Sequence, residues 1–330
     1  MIECCGNRAN HFKEGGKSGS VAFRIEIPVP FRIRSVNAWF FPGAHPALVD
    51  CGIGTPHGYH LLVAGLREHA QDPRDLTLYV THGHVDHAGN AARLRRDHGV
   101  PLHAPRAEAP FLETFRAESE ARNDAFADAL RLHGMPEAEV RALRADADAI
   151  DRHLEDTPID RDVPDGERVV LGDQEARALR TPGHTPGSVC FATEDSQLLS
   201  GDTLLEHITS NAIELLEHDK GALHRYVDSV EALRRFVGYE ALPGHRAPFR
   251  ITDGILDRHL QRHRERAARI LTLLDRPRTA YGVMQEVFPG LRGKDQAFMA
   301  MAEVVGHLNA LEIDGRARPV EDGVRRFART

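Results

Sequence analysis

From Val21 to Ile27 the chain reads Val-Ala-Phe-Arg-Ile-Glu-Ile. Apolar and charged residues alternate there with the period of two that puts one face of a strand on a core and the other in water. After a proline-marked turn a second strand is predicted over Ser35 to Phe41, antiparallel to the first. The short apolar run Ala47-Leu48-Val49 ends in Asp50-Cys51-Gly52-Ile53-Gly54, whose glycines permit the sharp exit from a strand that a site-lining loop needs. A helix over about Tyr59 to His69 and a buried strand over Leu76 to Val80 follow, and the strand runs directly into Thr81-His82-Gly83-His84-Val85-Asp86-His87. Helical spacing from Ala88 to His98 and a strand at Val100 to Ala104 continue the alternation.

The pattern then changes twice. From about Arg106 to Asp156 long runs of Ala, Glu, Arg, Asp and Leu favour helix, broken at Gly134-Met135-Pro136, and are read as a helical insertion. Strand signals return at Val169 to Leu171, Ala176 to Leu179, Val189 to Ala192 and Gln197 to Ser200. Beyond Gly254 the chain is helical over Ile255 to Leu274, Thr279 to Val287 and Lys294 to Asn309. It closes with two strands around Glu321-Asp322-Gly323, the order of a winged helix. Residues 1–256 are therefore expected to form a catalytic unit with the insertion at 106–156, and residues 257–330 a small C-terminal domain.

Composition narrows the function classes. With 330 residues, 41% apolar and 28% charged, the chain is that of an ordinary globular protein larger than one usual core. Its apolar stretches are far shorter than the ~20 residues a bilayer span needs, so no membrane role is expected. The opening Met1 to Ser20 carries Glu3, Lys13, Glu14 and Lys17 and lacks the apolar stretch of a secretory signal. Four cysteines, Cys4, Cys5, Cys51 and Cys190, have neither disulfide-framework nor zinc-knuckle spacing. A cytoplasmic location is the expectation. Net charge is −7, yet from Asp257 onward 14 Lys and Arg stand against 10 Asp and Glu, leaving 28 against 39 before it. That asymmetry permits a nucleic-acid contact by the tail, with a solvated basic face as the simpler explanation.

The chemistry lies in His82-x-His84-x-Asp86-His87, three imidazoles and a carboxylate within six residues at a strand-to-loop junction. Neutral imidazoles this close would each need a hydrogen-bond partner, and as cations they would repel. A divalent ion satisfies their lone pairs directly. Since alternate residues of an extended segment point the same way, His82 and His84 can serve one ion while the turn sends Asp86 and His87 toward another.

With Thr81 before it and Ala88-Gly89-Asn90 after, the motif resembles the signature of the metallo-β-lactamase superfamily. Three further motifs follow in that family's order: Thr181-Pro182-Gly183-His184-Thr185-Pro186-Gly187-Ser188, Ser200-Gly201-Asp202-Thr203 and Leu242-Pro243-Gly244-His245. The resemblance implies an α/β fold, a four-layer αββα metallo-β-lactamase sandwich with a helical cap insertion and a small C-terminal winged-helix-like domain. It implies that His82, His84 and His184 hold one metal, that Asp86, His87 and His245 hold a second, and that Asp202 bridges them. It gives Asp86 the further role of orienting water and passing a proton. Two divalent ions are implied, zinc first, with iron or manganese as alternatives. The flavodiiron branch has an acidic residue where His84 stands, which disfavours oxygen reduction. Asn90 departs from the commoner glycine and is expected to affect the turn more than the metals. Asp50 is a candidate partner for a ligand histidine, and His207 and Asn211 are candidate pocket residues.

For the substrate, the added tail makes the chain similar to the lactamase-beta-2-like branch, which includes ribonucleases and acyl thioesterases. The insertion's Phe111, Leu112, Phe115, Phe126, Leu130, Leu132 and Met135 are candidates either for an acyl channel or for packing of the cap on itself. The favoured expectation is attack of activated water on a small-molecule acyl thioester or related ester. A single-strand endoribonuclease or phosphodiesterase, a lactonase, and a non-catalytic nucleic-acid-binding regulator are the alternatives, and a homodimer is left open.

Overall fold

A computed structural model describes residues 22–216, 220–291 and 294–330. The expectations for Met1 to Ser20, for Val21, and for Cys4 and Cys5 lie outside the described residues. Two six-stranded sheets form the centre. The first takes β1 (Phe23–Pro28), β2 (Ser35–Phe41), β3 (Ala47–Val49), β4 (Thr77–Tyr79), β5 (Leu102–Ala104) and β6 (Arg161–Asp162) in that order across the sheet. The second takes β7 (Arg168–Leu171), β8 (Gln174–Arg180), β9 (Val189–Thr193), β10 (Gln197–Gly201), β11 (Glu240–Pro243) and β12 (Phe249–Arg250) in sequence order from one edge to the other.

The period-two pattern explains the layering. On the first sheet Phe40, Leu48 and Leu78 point to one side, where they pack with Leu62 and Leu66 of α1 (Pro56–Glu68). On the same side they meet Leu94, which follows the short α2 (Val85–Ala88) and belongs to α3 (Ala91–His98). Their neighbours Trp39, Phe41, Val49 and Tyr79 point the other way, against Ala176, Ala178, Val189, Phe191, Leu199 and Leu242 of the second sheet. The far face of that sheet, through Leu179, Cys190, Leu198 and Ala241, is covered by two later helices. The layers are therefore αββα. Asn90, expected to act on the turn, donates from Nδ2 to the carbonyls of Cys51 (2.8 Å) and Ile53 (2.9 Å), tying the start of α3 to the Asp50 loop.

The insertion comprises α4 (Ala109–Leu112), α5 (Ser119–Leu132) and α6 (Glu137–Asp151). After it come α7 (Ala222–Ala232), α8 (Asp253–Leu273), β13 (Arg278–Thr279), α9 (Ala280–Val287), α10 (Lys294–Ile313), β14 (Ala317–Asp322) and β15 (Val324–Arg329), the three strands forming a small sheet ordered β13-β15-β14. The helix α7 was not anticipated.

Two expectations need correction. The insertion does not pack on itself alone: Leu130, Met135, Val140 and Leu143 share one core with Ile270, Val283, Met301, Leu308 and Phe327 of the tail. Leu112 and Phe115 instead join the core beneath the first sheet, and Leu132 is exposed. The boundary expected at Asp257 falls inside α8, capped by Thr252 Oγ1 accepting from Ile255 N at 3.3 Å. This one helix buries Leu256 and Leu260 against the second sheet's layer and Ile270 and Leu271 in the core shared by insertion and tail. No described helix is long and apolar enough to cross a membrane.

Candidate metal centre

Strand ends deliver the site. β3 and β4 are parallel neighbours, so the residues just beyond them, Asp50 and the Thr81-His82 pair, emerge side by side. β10 and β11 are also parallel, and Asp202 and His245 follow them at the same end. His184 comes from the loop between β8 and β9, while His84 caps and Asp86 and His87 occupy the one-turn helix α2. Close approach is required at Gly244, where a Cβ would sit 2.5 Å from His87 Cε1 and 2.6 Å from Asp202 Oδ1. The exit at Asp50 takes a left-handed backbone, φ 60°, a conformation that Asp and Asn tolerate better than most residues.

Proton accounting shows what the cluster can hold. His184 Nδ1 lies 2.8 Å from the Asn211 carbonyl and His245 Nδ1 lies 2.6 Å from the Ser35 carbonyl. A carbonyl only accepts, so each Nδ1 carries a proton and, in the neutral ring, each Nε2 is left as a lone pair. His87 Nδ1 donates to Asp50 Oδ2 at 2.8 Å, with the same consequence. Thr81 Oγ1 donates to Asp50 Oδ2 at 2.8 Å, which leaves it to accept from His82 Nδ1 at 3.1 Å. Four Nε2 lone pairs therefore face inward. His84 turns Nδ1 toward His82 Nε2 (3.0 Å) and His184 Nε2 (3.1 Å), and a single proton there could satisfy only one of them.

The carboxylates complete the arrangement. Asp202 places Oδ1 3.5 Å from His87 Nε2, and Oδ2 3.7 Å from His184 Nε2 and 3.4 Å from His245 Nε2. Asp86 Oδ2 lies 3.5 Å from His245 Nε2 and 4.0 Å from His87 Nε2. Buried His87 Nε2 and Asp202 Oδ1 have no hydrogen-bond partner, a costly condition that bound cations would relieve. The donors fall into His82-His84-His184, His82-His87-Asp202 and Asp86-His87-His245, each a group able to hold an ion. The residues present thus fit divalent metal, with nitrogen donors whose other ring nitrogens are already fixed.

Electrostatics divide the donors: burial favours the neutral ring of His82, His84 and His184, whereas at His87 and His245 the neighbouring carboxylates, Asp202 first, outweigh burial and favour a second ring proton, whose place at Nε2 a bound cation would take. Burial, and then the charges that His87, His84 and His184 would carry, hold His82 well below the ordinary imidazole range; burial holds His84 well below it too and lowers His184. Burial pulls His87 down as well, but Asp202, Asp50 and Asp86 outweigh it and hold the ring well above its ordinary value. Asp202 is pushed up by burial and down, more strongly, by His245 and His87.

Of the residues named from sequence, His82, His84, Asp86, His87, His184, Asp202 and His245 are brought together. Asp50 lies behind His87, and Asn211 reaches His184 through its backbone carbonyl while its Nδ2 donates to Met299 O of α10 at 3.0 Å. His207 is not brought in: its ring is exposed and pairs with Glu206 at 3.1 Å, because the loop turns it outward. Phe111 stands edge-on to His84, ring centroids 6.0 Å apart. The residue that sequence reasoning missed is Glu108, fully buried between the His84 and His184 loops. A lone glutamate in a helix-favouring stretch gives no signal.

The profile of the metallo-beta-lactamase superfamily matches residues 32–245, and that of the metallo-beta-lactamase-like C-terminal domain matches residues 267–330. The chain belongs to the metallo-β-lactamase superfamily. It is 27% identical to the probable metallo-hydrolase YqjP of Bacillus subtilis (strain 168), over 88% of this chain and 92% of that one. It is 28% identical to the acyl-coenzyme A thioesterase MBLAC2 of Homo sapiens, over 63% of this chain and 72% of that one. Among solved structures, the metallo-beta-lactamase family protein TTHA1429 from Thermus thermophilus superposes with a TM-score of 0.81 at 26% identity, covering 94% of this chain and 98% of that one.

Proposed function

We propose that this protein hydrolyses small-molecule acyl thioesters or related esters with the help of two divalent ions, zinc first among them. His82, His84 and His184 would hold one ion and Asp86, His87 and His245 the other, with Asp202 between them. The observation that carries the reading is the convergence of four inward Nε2 lone pairs, each fixed by a hydrogen bond at Nδ1. Bound there, such ions supply Lewis acidity and water of lowered pKa.

The chain's own groups do the rest. Asp86, only partly buried at the opening, is placed to orient a water molecule and to carry its proton toward a leaving thiol. Phe111 offers an apolar edge beside His84 for the acyl portion. The thioesterase name carried by one relative supports that substrate class. The tail, which we read as winged-helix-like, and a cytoplasmic location complete the proposal. Among the described residues Cys51 and Cys190 are free and buried, as a reducing compartment allows.

The test is release of free thiol from acyl-coenzyme A by zinc-loaded protein, measured beside lactones, p-nitrophenyl esters and single-stranded RNA. Thioester turnover that disappears in His84→Ala supports the reading. RNA cleavage without thioester turnover overturns its substrate half and favours the phosphodiester alternative.

A further inference from the structure

Glu108 is fully buried, and no ion pair to it occurs among the described residues. Burying a carboxylate without a cation is costly unless its oxygens are saturated with hydrogen bonds. Here they are shared between two loops. Oε2 accepts from Gly83 N at 2.7 Å, and Oε1 accepts from Thr185 Oγ1 at 2.7 Å and Gly187 N at 2.5 Å. Gly83 lies between His82 and His84 on the loop leaving the first sheet, and Thr185 adjoins His184 on a loop of the second. A Cβ on Gly187 would lie 2.5 Å from Glu108 Oε1, so the loop backbone approaches the carboxylate as closely as glycine allows. Two of the three donors to Glu108, Gly83 and Thr185, adjoin His82, His84 and His184 in sequence, and Asp86, His87 and His245 make no hydrogen bond to it.

We propose that Glu108 is a positioning residue that holds the His82–His84 loop against the His184 loop and so sets the affinity of that one metal position. This rests on the two-ion reading above. Both oxygens act as acceptors, and glutamine cannot reproduce that. Whichever way its amide turns, the NH2 group opposes a backbone N–H, of Gly83 on one side or of Gly187 on the other. A role confined to general stability would weaken both metal positions together; a positioning role weakens one.

The experiment is competition of Zn(II) between a chromophoric chelator and the metal-stripped full-length protein, comparing wild type with Glu108→Gln. The Co(II) absorption spectrum and the melting temperature of the metal-free chains are recorded in parallel. The expected result is two equivalents bound by wild type and, in Glu108→Gln, one equivalent of unchanged affinity and one weakened about 10–100-fold, the range for losing a group that orients a ligand. The Co(II) spectrum should change for the first position only. If Glu108→Gln does not fold, Thr185→Val withdraws one of the three donors and should weaken the same single position. Wild type binding two ions with the variant binding both as tightly, or both equally weakened, overturns this inference alone. Wild type binding fewer than two overturns the two-ion reading and this inference with it.

Discussion

Asp50→Asn separates the chemistry of the proposed Asp86-His87-His245 metal position from the geometry of its loop. Asn tolerates the left-handed φ of 60° as Asp does, so the backbone need not move. The carboxylate, 1% exposed, accepts from Thr81 N on Oδ1 (2.8 Å) and from both Thr81 Oγ1 and His87 Nδ1 on Oδ2 (2.8 Å each). With an amide nitrogen at the Oδ2 position, His87 must turn its proton to Nε2 and lose the lone pair that faces the cluster. With the amide reversed, Thr81 N–H is opposed. Either way at least one charge-assisted hydrogen bond goes, worth about 1.5–3 kcal/mol. At 1.4 kcal/mol per decade this is about a 10–100-fold loss of affinity, the range found when a ligand histidine loses its orienting partner. The assay is zinc competition on metal-stripped protein, with Asp50→Ala as a comparison that adds about 1 kcal/mol of left-handed backbone cost to folding stability. Unchanged zinc affinity in Asp50→Asn, or a loss confined to the His82-His84-His184 position, would show that Asp50 does not set the His87 tautomer.

Other outcomes follow from the same structure. Burial, with His259 and Arg266 nearby, holds His263 down to about 4, and His307 is pushed the same way. Since the folded value lies below the ordinary 6.5, the stability contribution is intact above pH 6.5. It falls by up to about 3 kcal/mol on acidification toward pH ~4. Melting curves against pH should therefore be flatter for His263→Gln, and identical slopes would count against the assignment. Leu130→Ala, in the core common to insertion and tail, should cost about 2–5 kcal/mol. Hydrogen exchange should then rise in α5, α6, α9 and α10 together, whereas a rise confined to the insertion would contradict the shared core. Gly244→Ala drives a methyl into His87 and Asp202, and should reduce zinc binding at their position at least tenfold for only about 1–3 kcal/mol of overpacking, read by chelator competition and thermal melting.

The local parts of this protein were legible because their signals are short-range. Alternation at Phe23 to Ile27 and at Ser35 to Phe41 marked two strands, and the density of imidazoles from His82 to His87 marked the centre before any partner was known. The remaining donors, His184, Asp202 and His245, came from a family's motif order, since nothing local in the sequence joins them. What stayed hidden depends on packing between distant segments. Helix α7 carries Ala222, Leu223, Tyr226 and Val230 at helical spacing, a pattern diluted by the polar residues around it. The union of insertion and tail in one core could not be read because neither apolar face names its partner. Glu108 was invisible for the same reason, its meaning lying in Gly83, 25 positions away, and Gly187, 79 positions away. Asn211 acts on His184 through a backbone carbonyl that any residue could supply.

The proposed hydrolase chemistry depends on these side chains gathering two cations. The direct measurement is anomalous diffraction from crystals of the zinc-loaded protein, with elemental analysis of the same sample. Two peaks are expected, one among His82, His84 and His184 and one among Asp86, His87 and His245, with Asp202 between them. A fully loaded crystal showing no peak at these residues, or ions bound only elsewhere, would rule out a metal centre here.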